Sequence, residues 1–387
     1  MAAKPRSRDL GGPDWPLSPP LDRATATAGL VVTVHGATHL AAVTVDTYNE
    51  ELRDAEGFIG DRASNRAFAA LLDDERERMG GPSADPLGDA PSKDIDRAEL
   101  DHTLADGDPK AAGLVLGAVE EFAQEFAAVV RRFLRLEAWQ DTQRIVVGGG
   151  LRASRVDALA IERTLMLLRA HGSSVELSPI RSHPDAAGLV GVVHLVPSRM
   201  VSGHDSVLAV DIGGTNLRAG VVALNQERAP DLSQTGVDRS VLWHHRADAP
   251  TRDETVERIV GLLREMMAQA EARGRTLAPF IGIGCPGLVS EDGRIVRGGQ
   301  NLPGNWEDPG LNLPTRIKAA IPEIGQREAT VVLHNDAVVQ GLSEVPFMRD
   351  VERWGVMTIG TGLGNARFSN RCGSRQQGRN PVASSRR

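Results

Sequence analysis

The chain has 387 residues, a hydrophobic fraction of 41%, a mean hydropathy of -0.22 and a formal net charge of -7, values of a soluble globular protein long enough for two lobes rather than one core. The acidic balance argues against a general nucleic-acid binder, which gathers Lys and Arg. Two cysteines, Cys285 and Cys372, are too few for a disulfide framework and make a reducing cytoplasm the expected compartment; no apolar run reaches the ~18–20 residues that span a bilayer.

Residues 1–20, MAAKPRSRDLGGPDWPLSPP, have no secretory apolar core and are rich in Pro and Gly, which predicts a mobile leader. Between 21 and 60 the run AGLVVTVHGATHLAAVTVD reads as paired strands, and 75–110 as a polar loop or weak helix. Val115, Val119, Phe122, Phe126, Val129, Phe133 and Leu136 recur at steps of three and four, so 110–138 is a helix, opened by Asp106-Gly107-Asp108-Pro109. RIVVGGG is a strand ending in Gly148, Gly149 and Gly150. Such glycines leave room for a flat ring against backbone, or simply make a tight turn. A helix over 155–171, a strand near VELSPI and a helix over 184–195 follow, and PSRMVSGHD at 197–205 reads as a linker.

VLAVDIGGTNLRAGVV, residues 207–222, begins a second block as a strand, a glycine turn and a returning strand. Asp211 at the strand end suits Mg²⁺ held through water, while Gly213 and Gly214 let a phosphate reach the backbone; Thr215, Asn216 and Arg218 add donors. The plain alternative is a β-hairpin turn. Next come a helix over 252–273, the strand FIGIG entering CPGLV, a loop containing NLPGNWEDPG with Asn301, and the strand TVVLHNDAV leading into a helix over 336–345. Asp336 is either a general base for phosphoryl transfer to an alcohol or the cap of that helix. His334 is a rival base, though alternation turns it away from Asn335. The strand WGVMTIG then enters TIGTGLGN, where Thr361, Gly362 and Gly364 repeat the first hairpin's plan and imply a duplicated fold closing on a nucleotide from both sides. From 366 onward six Arg and no acid predict a disordered basic tail. Strands alternating with helices make the class α/β.

DIGGTNLRAG, IGIGCPGLV with NLPGNW, HNDAVVQGLSE and TIGTGLGN, in that order, resemble the ROK family of sugar kinases within the actin-like ATPase superfamily. That family's large-lobe features, a Gly-Asp-Pro helix, a GGG adenosine loop and an Asp-Ala-Gly-Leu helix, are similar to DGDPKAAG, VVGGGLR and DAAGLVG, all before residue 195. The resemblance implies two actin-like (ribonuclease H-like) lobes around a nucleotide and sugar cleft, in circularly permuted order. The expected division is 1–20 leader, 21–196 large-lobe segment, 197–205 linker, 206–345 small lobe, 346–366 second phosphate hairpin and 367–387 tail. It implies an ATP-dependent, glucokinase-like hexose kinase using Mg²⁺. Asp336 would be the base, Asn335, Asn301, His39 and Glu56 would hold the sugar, and Gly148–Gly150 would meet the adenosine. Gly36-Ala37-Thr38-His39 lacks the glutamate of the family's Glu-x-Gly-His motif, and no cysteines lie where its zinc cluster would, so no zinc is expected. The missing glutamate leaves open a non-catalytic sugar sensor on a kinase fold. Expected partners are a hexose and ATP, with neither nucleic acid nor membrane; a homodimer is the assembly to test.

Overall fold

A computed structural model describes residues 34–55, 57–79, 85–150 and 154–371. Expectations for the leader, for Glu56 and for the chain beyond 371 lie outside these residues. Two five-stranded sheets organise the rest. In chain order the strands are β1 (Val43–Tyr48), β2 (Arg144–Gly149), β3 (Glu176–Pro179), β4 (Ser206–Ile212), β5 (Leu217–Ala223), β6 (Gly236–Trp243), β7 (Leu277–Cys285), β8 (Thr330–Asn335), β9 (Arg353–Ile359) and β10 (Leu363–Asn370). The helices are α1 (Asn65–Arg78), α2 (Arg97–Asp106), α3 (Pro109–Phe133), α4 (Arg155–Ala170), α5 (Pro184–Val190), α6 (Ser198–Val201), α7 (His245–Asp248), α8 (Arg252–Ala272), α9 (Leu313–Ala320) and α10 (Asp336–Leu342).

The sheets share one plan. The second runs β8-β7-β4-β5-β6 across its width, with β4, β7 and β8 parallel and β5 and β6 antiparallel to their neighbours. The first runs β3-β2-β9-β10-β1 with the same senses. Thus β9 stands where β4 stands, β10 where β5, and β1, β2 and β3 where β6, β7 and β8. The chain traverses the second sheet in that order but enters the first at the position equivalent to β6, returning only at its end for β9 and β10.

Strand alternation builds the layers. Ile145, Val147, Met357 and Ile359 face a core shared with α1–α4, while Val146 and Val356 join the opposite core. In β4, Leu208, Val210 and Ile212 face the core under α8 and α9, and Val207 and Ala209 face inward. Both faces are covered, so the central strands are apolar throughout. Each fully buried Val, Leu or Ile contributes about 1.5–3 kcal/mol relative to exposure. α5 and α10 lie in the inner core between the sheets.

Local signals place the helix ends. Asp108 accepts from Lys110 N at 2.9 Å and Pro109 opens α3. Thr251 and Glu254 form a capping box for α8. Several expectations need correction. The stretch 197–205 is not plain linker: α6 buries Val201 in the inner core. The tail does not begin at 367, because Arg367–Asn370 complete β10, paired on both sides; Phe368 stacks on Trp354 at 4.3 Å. Between 75 and 110 the helical alternative is the one observed, as α2. The α1 helix was not anticipated, because it buries only Phe68 and Leu72 and shows little periodic apolar signal.

Candidate active site

A cleft of about 590 Å³ opens where the hairpins of the two sheets face each other. On one side the turn Gly213–Asn216 joins β4 to β5 and is closed by Gly213 N donating to Asn216 O at 2.8 Å. α7 braces it from behind: His245 Nε2 donates to Gly213 O at 2.8 Å and Arg246 N to Thr215 O at 3.2 Å. Opposite, Gly360 N bonds Gly362 O at 2.9 Å in the turn between β9 and β10, and the start of α1 supports it, Asn65 N donating to Gly360 O at 3.0 Å. The tips meet, with the Thr215 and Thr361 hydroxyls 3.3 Å apart. Gly149 and Gly150 line the same cleft. Gly149 has φ +79°, and a methyl there would lie 2.3 Å from Ile359 O, so only glycine fits. Gly148 stands behind them, against Ile180, Thr358 and Gln340.

Two carboxylates stand on the floor. Asp211 is the next-to-last residue of β4, and burial raises its carboxyl to about 6, against the opposing pull of Arg218, whose Nη1 is 3.9 Å away. Arg218 is also ion-paired to Asp185 at the start of α5. Asp336 is the first residue of α10. Burial, then the negative charge of Asp211, raises it to about 7. Its Oδ1 accepts from Ala337 N at 2.9 Å. A general base serves best with a pKa near the working pH, which this position meets.

The cap of α10 is Asn335, not Asp336. Its Oδ1 accepts from Ala337 N at 3.0 Å and Val338 N at 3.2 Å, and its Nδ2 donates to Gly287 O at 3.0 Å. All these atoms are engaged in the fold and the residue is 1% exposed, so the structure does not bring Asn335 to the cleft wall as a sugar ligand. His334 is also committed: its Nε2 donates to Ala37 O at 3.1 Å and its Nδ1 accepts from Asn335 N at 2.7 Å. Burial drives it down to about 4, so it is neutral and set behind the site. Asn301 lines the cleft, its Cβ 3.1 Å from where a methyl on Gly214 would lie. His39 does not: it is exposed and its ring bonds Thr38 Oγ1 at 3.0 Å, since the turn before β1 points it away. Thr215, Asn216, Arg218, Thr361, Gly362 and Gly364 all reach the cleft.

Sequence reasoning missed the loop after β1. Asn49, Glu50 and Glu51 line the cleft, held by Asn365, which accepts from Asn49 N at 2.9 Å and Glu50 N at 3.0 Å and donates to Glu50 O at 3.0 Å. The available signal was the run Asn-Glu-Glu directly after the alternation of β1. Gln300 and Gln340 were missed as well.

Comparison with known proteins places residues 207–384 in a match to the model of the ROK family. None of the curated proteins matches. Among solved structures, a ROK family glucokinase from Streptomyces griseus in complex with glucose and AMPPNP is similar at 21% identity and a TM-score of 0.32, over 43% of this chain and 46% of its own. A ROK hexokinase from Thermus thermophilus is similar at 22% identity and a TM-score of 0.28, over 45% and 51%. An exopolyphosphatase from Cytophaga hutchinsonii follows at 12% identity and a TM-score of 0.21, over 46% and 52%. Each match spans about half the length of the solved chain.

Proposed function

We propose, from the match of residues 207–384 to the model of the ROK family, that the chain is an ATP-dependent sugar kinase of glucokinase type. The observation that carries this is Asp336, a carboxylate raised to about 7 on the floor of a cleft whose walls are two facing glycine hairpins. The hairpin N–H groups and the Thr215 and Thr361 hydroxyls would hold the nucleotide phosphates, with Gly149 and Gly150 against the adenosine. Asp336 would take the proton from the acceptor hydroxyl as its oxygen bonds the γ-phosphorus and the bond to the β,γ-bridging oxygen breaks, leaving ADP. Asp211 fits a magnesium ion carried in with ATP: it is buried, faces the cleft and has an opposing cation no nearer than 3.9 Å, and Mg²⁺ commonly needs only one or two protein carboxylates, often through water. The ion supplies charge neutralisation on the phosphates.

We also propose that the sequence order is a circular permutation of the family's. The support is the parallel pairing of β2 with β9, Trp354 opposite Arg144 through Ile359 opposite Gly149, which joins the early segment to the late hairpin in one sheet. A sugar sensor without turnover is the second reading, favoured by the placement of His39 outside the cleft. A coupled assay of ADP release over a hexose panel with Mg-ATP separates the two. Stimulation by a hexose supports the kinase; calorimetric sugar binding with no stimulated release supports the sensor.

A further inference from the structure

We infer that the acceptor is a hexose bearing a free amine, whose ammonium is held by Glu50 and Glu51; this rests on the kinase reading above. The loop that carries these residues lines the same cleft as Asp336. Asn49 adopts φ 55°, a left-handed conformation that Asn tolerates. Its Nδ2 lies 3.3 Å from where a methyl on Gly298 would stand, Gly298 packs on Gly287, and the Gly287 carbonyl accepts from Asn335, the neighbour of Asp336. Asn49 lines the cleft, and its buried Nδ2 has no hydrogen-bond partner among the described residues.

The charge at this wall is one-sided. Glu50 accepts from the Thr47 hydroxyl on Oε1, and Asn365 spends its amide on the loop backbone. Among the described residues no ion pair reaches Glu50 or Glu51. Nearby Arg53 lies over the Phe58 ring, 3.6 Å from its centroid, and Arg218 is held by Asp185 beside Asp211. Two adjacent carboxylates accept hydrogen bonds and give none, so they repel a uronate or a sugar phosphate. A hydroxyl offers such a wall one donor. An ammonium offers three together with the missing positive charge, and charge-assisted bonds are roughly twice as strong as neutral ones. Acetylating the amine removes that charge.

The test follows ADP release by the full-length protein with Mg-ATP over glucosamine, glucose, N-acetylglucosamine and glucuronate, repeated on Glu50→Gln, Glu51→Gln and the double variant. Expected are a KM for glucosamine at least ~10-fold below that for glucose, no use of glucuronate, and a ratio that falls to within about twofold in the double variant. Preference for glucose or N-acetylglucosamine, or a glucosamine preference unchanged in the double variant, overturns the inference while leaving the kinase standing. If no sugar stimulates ADP release, the kinase reading falls, and calorimetry with glucosamine and glucose still decides the wall: equal or weaker glucosamine binding overturns it.

Discussion

Asp336 combines two properties that an ordinary helix-start carboxylate does not. It opens on a cleft between phosphate-type turns, and its neighbour Asn335 already supplies the cap. Replacing Asp336 with Asn preserves shape and the contact to Ala337 N but removes the proton acceptor. Turnover should fall by roughly 10²–10⁴, with sugar affinity nearly unchanged by calorimetry. The pH profile follows from the same group. Only the ionised carboxylate is a base, so kcat/KM of the parent should rise with pH and level off above about 7. Stability moves the other way. A carboxyl whose folded pKa is raised above its unfolded value stabilises fully below the unfolded value, and that contribution is lost as pH rises through the folded one. Asp336→Asn should therefore gain in Tm relative to the parent more at pH 8 than at pH 5. A fully active Asp336→Asn protein would remove Asp336 from the chemistry.

At the scale of elements, α5 and α10 decide whether the two carboxylates meet in one site. α5 brings its backbone against Asp211 at Gly188, where a methyl would lie 2.4 Å from the Asp211 Cγ. The backbone of Asp211 is fixed opposite Arg218 across β4 and β5, so the clash falls on its side chain. Gly188→Ala should therefore shift the carboxylate and raise the KM for Mg-ATP at least about 10-fold, the effect of misplacing a positioned charge by a fraction of an ångström or more. Titrating Mg²⁺ at fixed ATP would show whether the loss is in metal use. An unchanged Mg-ATP dependence would mean that Asp211 has no part in holding the nucleotide. The neighbouring α4 and α8, whose ends are set by local caps, were readable from sequence almost to the residue. α1 was not, because its burial depends on α3 and on contacts that form only after folding.

On the scale of the whole molecule, the two sheets have one strand plan but different points of chain entry. The described C-terminal end of the chain lies beside the start of β1, Arg371 N donating to Ala42 O at 3.1 Å. Gly203, in the turn after α6, is exposed and has φ +78°. A chain reordered to run from His204 to Arg387 and then from Met1 to Gly203 should therefore fold, with a Tm within roughly 2 °C of the parent, equivalent to about 1–2 kcal/mol in a protein of this size. It should also retain whatever sugar-stimulated ADP release the parent shows. Aggregation, or loss of a cooperative melting transition, would argue against the permutation.

The sequence by itself determined the α/β class, both glycine hairpins, the long α3 and the candidacy of Asp211 and Asp336. Each of these rests on neighbours along the chain: alternation makes a strand, three- and four-residue steps make a helix, and glycines with an acid at a strand end make a polar turn. Only the tertiary structure decided that Asn335 caps α10 and that neither it nor His39 lines the cleft. It also decided that Arg367–Asn370 are a central strand, because their partners in β1 lie over 300 residues away in the chain. The wall of Asn49, Glu50 and Glu51 belongs to the same class. Its place is set by Asn365 from the far end of the chain, and a contact across such a separation leaves no periodic trace in the residues on either side of it.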